Sequence, residues 1–135
     1  MAWNKLIPVS EIKNGITPEG VKFAEEFGTY LAEGPRDRQD RTKPLTTSQL
    51  RKFFGEIKRQ QMSGYNQTDI ILLKPKLAYA VGRAKEKDPR GILKICDFNN
   101  VIAAAIDNVA NKDDFKNFVQ LFEAIVAYHK AAGGK

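Results

Sequence analysis

The sequence predicts an all-α protein, a single compact bundle of about five helices formed by residues 1–135. Three observations carry that prediction. Apolar residues recur at three- and four-residue intervals through most of the chain. Capping signals precede those stretches, and glycine or proline closes them. No stretch alternates with the period of a strand, and no internal repeat stands out.

Residues 1–16 show no sustained period and are expected to form an irregular N-terminal arm. Thr17-Pro18-Glu19 opens the first helix, with Thr17 as cap and Pro18 in the first helical position. Val21, Phe23, Ala24, Phe27, Tyr30 and Leu31 supply its stripe, and Gly34-Pro35 ends it. Residues 35–45 read as a mobile basic loop, because no apolar anchor lies between Pro35 and Leu45. Thr46 and Gln49 fit a capping box. They open a helix that runs to about Ser63, with Leu50, Phe53, Phe54 and Ile57 on its core side.

The next helix spans roughly 69–87, and Pro75 leaves two versions of its start. It either begins at Lys74 or begins near Asp69 and bends. Asp88-Pro89 stops it and is expected to cap the following helix, whose face holds Ile92, Ile95, Phe98, Ile102, Ala105, Ile106 and Val109. Asn111 caps the last helix, and Asp113 and Asp114 suit the dipole of its first turn. Phe115, Phe118, Val119, Phe122, Ile125 and Val126 form that helix's stripe before Gly133-Gly134.

Composition narrows the function. An apolar fraction of 42% with 28% charged residues is that of a folded globular chain. No apolar run approaches the roughly 18–20 residues that cross a bilayer, so no membrane association is expected. The start of the chain lacks the pattern of a secretory signal, and a single cysteine, Cys96, cannot form an internal disulfide. The cytoplasm is the expected compartment. The formal net charge of +6 is unevenly placed. Residues 1–33 are net negative, whereas residues 34–60 hold eight cations against Asp37, Asp40 and Glu56. Most later cations lie between Lys74 and Lys94. Positive charge clustered in this way suggests a polyanion partner.

Catalysis finds little support, and neither catalytic nor metal-binding residues nor a cofactor is expected. The one histidine, His129, continues the apolar stripe of the last helix and reads as packed. Cys96 reads as a small hydrophobe beside a core face. The adjacent Asp113 and Asp114 point about 100° apart on a helix and do not converge on an ion. No glycine-rich phosphate loop is present. A small carboxylate-and-metal nuclease is therefore the weakest reading.

The cations form a more coherent set. Arg51, Lys52, Lys58 and Arg59 lie opposite the apolar side of their helix, with Gly55 in the middle of their arc. Lys76, Arg83 and Lys87 share one face of the next helix, with Tyr79 near its edge, and Lys74 and Lys85 make a second row. Two same-sign faces suit a phosphate backbone and favour salt-dependent, sequence-independent binding. No element for reading base edges stands beside them. An interaction module whose basic surface docks an acidic protein is the alternative.

Three stretches, TTSQLRKFFGEIKR (46–59), LLKPKLAYAVGRAKE (72–86) and FKNFVQLFEAIVAYHKAAGGK (115–135), give the chain a family likeness. Over roughly residues 45–135 it resembles the small helical subunit of the Csm complex, the type III-A CRISPR effector. Pro75 departs from the family pattern. The resemblance implies a non-catalytic, all-helical RNA-binding subunit that stacks with further copies of itself and with other subunits along the crRNA and its paired target RNA. It carries RNA contacts to Arg51, Lys52, Lys58, Arg59, Lys76 and Arg83. A salt bridge between helices is the other reading of Arg83, and Arg36, Arg38, Arg41 and Lys43 are possible extensions of the track. Tyr128 and His129 read as core first and as subunit contact second. Apolar surface left for stacking would let the isolated protein form a homodimer.

Overall fold

The computed structural model describes residues 3–135. Five long helices carry the fold, as the periodicity predicts, and two single-turn helices join them. In chain order they are α1 (Val9–Lys13), α2 (Pro18–Ala32), α3 (Thr47–Ser63), α4 (Gln67–Ile71), α5 (Leu73–Lys87), α6 (Lys94–Ile106) and α7 (Lys112–Ala131). Met1 and Ala2, part of the expected arm, lie outside the described residues. The rest of that arm needs a correction, because it contains α1. Glu11 and Ile12 of this short helix are buried. The Glu11 carboxylate accepts the Thr17 amide at 2.8 Å and the Thr17 hydroxyl at 2.6 Å. Thr17 does hold the N-cap position of α2, but its hydroxyl is committed to Glu11 rather than to the helix.

Helix α7 is the central element. It packs against α1, α2 and α3, while α5 packs chiefly on α6. Phe115, Phe118, Val119, Leu121, Phe122, Ile125 and His129 of α7 are all buried. The α2–α7 crossing is close because Gly28 has no side chain. A Cβ there would meet the Ile125 carbonyl at 2.8 Å and the His129 amide at 2.9 Å. Phe98 and Phe122 lie 5.9 Å apart in an edge-on pair, and Phe53 and Phe118 extend that aromatic core. His129 is core: its Nε2–H donates to the Leu45 carbonyl at 2.6 Å.

Local chemistry explains most boundaries. The Thr46–Gln49 capping box forms as expected, with bonds of 2.9 and 3.1 Å. The Asn111 side chain accepts the Asp114 amide at 2.8 Å, and Gly133, at φ 89°, turns the chain out of α7. Pro75 falls in the first turn of α5, where its missing N–H costs little. The break that the proline suggested lies just before it, at Leu72 between α4 and α5.

Several expectations are corrected. Asp88 ends α5 but does not cap α6, whose N-cap is Leu93. Between them lies a two-residue strand, β2 (Ile92–Leu93), which pairs in parallel with β1 (Thr42–Lys43). Segments this short carry no alternation to detect. Residues 35–45 are accordingly more structured than a loose loop. Asp40 accepts the Arg36 amide and both the amide and hydroxyl of Thr42, and Asp37 accepts the amides of Gln39 and Asp40. These bonds, chiefly the one from the Thr42 hydroxyl, hold the Asp40 carboxyl at a pKa of about 2. Val21 and Ile92 are exposed rather than buried, and Phe54 is half-buried, stacked 6.2 Å from Phe122.

Candidate nucleic-acid interface

Helical geometry divides the α3 cations. At about 100° per residue, Arg51 and Lys58 lie roughly 40° and 60° to one side of Gly55, and Arg59 and Lys52 lie as far to the other. The first pair faces toward α7 and the second toward α5. Lys58 confirms the division, since it reaches Glu123 of α7 at 3.3 Å and lies over the Phe54 ring. Gly55 stands in open space, and a Cβ added there would have no neighbour within 4 Å.

On the α5 side, α3 and α5 stand apart and leave a groove of about 820 Å³. Lys52 and Glu56 of α3 line one wall, and Lys76, Tyr79, Arg83, Glu86 and Lys87 of α5 line the other. Phe53, Ala80, Ala84 and Ile95 give it an apolar floor. A second hollow continues it past Lys52 and Lys87 to Lys43 and Lys135. The structure therefore brings together Lys52, Lys76 and Arg83 from the predicted set. It leaves Arg51, Lys58 and Arg59 outside the groove lining. Lys87 belongs with the groove, and its position on the Lys76–Arg83 face was the signal for it. Lys43 also lies along the continuation, whereas the exposed Arg36, Arg38 and Arg41 do not.

Glu56 governs the charge balance. One of its oxygens accepts from Arg59 Nη2 at 2.6 Å and from Lys76 Nζ at 2.7 Å. These two bonds, Arg59 foremost, hold its carboxyl at a pKa of about 2 against the usual 4.5. Among the described residues, Lys52, Arg83 and Lys87 make no ion pair with a carboxylate. The interhelical salt bridge considered for Arg83 is thus not formed there. Lys74 does have such a bridge, to Asp107 at 2.6 Å, at the C-terminal end of α6.

One cation was missed from sequence altogether. Lys94 is buried, donates to the Tyr30 carbonyl at 2.8 Å and lies over the Tyr30 ring, with Glu33 at 3.7 Å. Burial lowers its pKa. Tyr30 in turn donates to Asp97 at 2.6 Å, and its pKa is raised by burial and by that carboxylate. This network ties α2 to α6 and lies away from the groove.

A family model, Csm2 Type III-A, matches residues 21–135. The chain belongs to the Csm2 Type III-A family. The matched span includes every residue of the groove and nearly all of α2, which the sequence motifs alone had not reached. No curated protein and no solved structure matches the chain significantly. Csm2 proteins are small structural subunits of the type III-A CRISPR effector, and membership implies association with other subunits of the Csm complex. No helix of the described residues is long and apolar enough to cross a membrane. No group of three or more His, Cys, Asp or Glu among them gathers as a metal site would require.

Proposed function

We propose that this Csm2 protein is a non-catalytic RNA-binding subunit that supports the crRNA and its paired target RNA through phosphate contacts. The observation that carries the reading is the α3–α5 groove, where Lys52 on the α3 wall and Arg83 and Lys87 on the α5 wall line an open channel without ion-pairing to a carboxylate. Like charges held close destabilise a fold unless an anion relieves them. A polyphosphate backbone supplies such an anion, and Lys76, Arg51, Lys58 and Arg59 extend the field around the groove. Among the described residues no side-chain arrangement for reading base edges accompanies these cations, which favours binding that is independent of sequence. Exposed Met62, Ile71 and Leu72 at the α3–α4 end offer apolar surface for further copies of the chain or for other subunits.

The test is RNA binding by the purified protein and by the double variant K52E/R83E, measured on two unrelated sequences. Wild type binds both with similar affinity, and the variant binds both at least about tenfold more weakly, because two phosphate contacts become repulsions. Unchanged RNA binding by the variant refutes the groove assignment. Salt-sensitive capture of an acidic protein with no RNA binding at all supports the interaction-module reading instead.

A further inference from the structure

Tyr79 is the one aromatic ring among the described residues whose side chain stands in the open, 67% exposed. The other aromatic residues pack wholly or partly into the interior. Its position is specific. On α5 it lies three residues after Lys76 and four before Arg83, so the three side chains share one helix face. All three line the α3–α5 groove, above the floor made by Phe53 and Ala80.

A track for paired RNA needs cations alone, because a duplex presents its phosphates and keeps its bases stacked inside. The groove offers more than that. It combines walls on which Lys52, Lys76, Arg83 and Lys87 outnumber Glu56 and Glu86, an exposed ring and an apolar floor, within a volume in the range of roughly 300–1,000 Å³ that takes small ligands. Aromatic rings flanked by Lys and Arg are the usual means of holding an unpaired base, since every base has a face to stack. We propose that the groove holds an unpaired RNA nucleotide, its base against the Tyr79 ring and its flanking phosphates on Lys76 and Arg83. The inference rests on the RNA-binding reading and adds to it the state of the strand.

Three RNAs test it with the full chain at low salt: a single-stranded oligouridine, an abasic ribose-phosphate strand of the same length, and a blunt duplex. One stacked base is worth roughly 5- to 150-fold in affinity. Wild type is expected to bind the oligouridine more tightly than the abasic strand by a factor in that range. Y79A should bind both strands equally, at the wild-type level for the abasic strand, and Y79F should restore the preference. Duplex affinity should be the same for all three proteins. Equal wild-type binding of the two single strands overturns the inference and leaves the phosphate reading standing, as does retention of the preference by Y79A. If wild type binds none of the RNAs, the RNA-binding reading itself fails. Tyr79 projects away from the core, and matched thermal melts will show that the variants are folded.

Discussion

Replacing Glu56 with glutamine separates an RNA track from an ordinary charged helix surface. Glu56 holds Lys76 at 2.7 Å and Arg59 at 2.6 Å, so one carboxylate occupies two cations of the basic face. A phosphate bound on the far side of the Lys76 ammonium would lie about 6 Å from that carboxylate, given ionic hydrogen bonds of about 2.8 Å. Two charges at about 6 Å repel by roughly 0.7 kcal/mol in water and about 2.8 kcal/mol at a surface-like dielectric. Screening at about 0.1 M salt favours the lower part of that range. E56Q should therefore bind RNA about three- to tenfold more tightly. Its salt dependence should steepen by about 0.7 in log–log slope for each freed cation that engages a phosphate. Stability should move the other way. Glu56 is only 20% exposed but both its partners are more than half exposed, so the loss is about 1 kcal/mol. Fluorescence anisotropy and urea melts read the two effects side by side. RNA affinity that falls together with stability would show that Glu56 is scaffold and that the groove is not the track.

The acid limb of stability should carry the signature of the same residue. A carboxyl whose pKa drops from the usual 4.5 to about 2 on folding stabilises the fold above about pH 4.5, and that contribution is lost as pH falls toward 2. Wild type should lose stability more steeply than E56Q across that window in urea melts at stepped pH. Gly28→Ala should cost more than about 2 kcal/mol, because the added methyl enters backbone and Tyr128 Cβ atoms of α7. Gly55→Ala should gain roughly 0.5–1 kcal/mol, since its site is open and helical; chemical denaturation of the pair distinguishes them. His129→Leu should cost about 1–3 kcal/mol by leaving the buried Leu45 carbonyl without its donor, again read by denaturation.

The long helices were legible because their apolar faces are wide and their ends are marked. Thr46–Gln49 and Asn111 act through chemistry that lies within three residues. What escaped depends on distant partners. Thr17 has the sequence of a cap, but the buried Glu11, six residues upstream, takes its hydroxyl. The pairing of Thr42–Lys43 with Ile92–Leu93 joins segments fifty residues apart and is too short to leave a period. Lys94 looks like one more surface lysine until Tyr30 supplies a carbonyl and a ring for it. The basic faces were visible in the spacing, but their division was not. Which cations share a groove depends on α3 packing against α7 and α5 against α6, and sequence gives no direct view of that.

The salt dependence of RNA binding by the wild-type protein tests the central claim most directly. If about four groove cations each engage a phosphate, log affinity should fall with log salt at a slope near −3. That amounts to about 50-fold between about 50 and 200 mM, and the slope should be the same for unrelated sequences. A slope near zero, or one that changes with sequence, would contradict a phosphate track between α3 and α5.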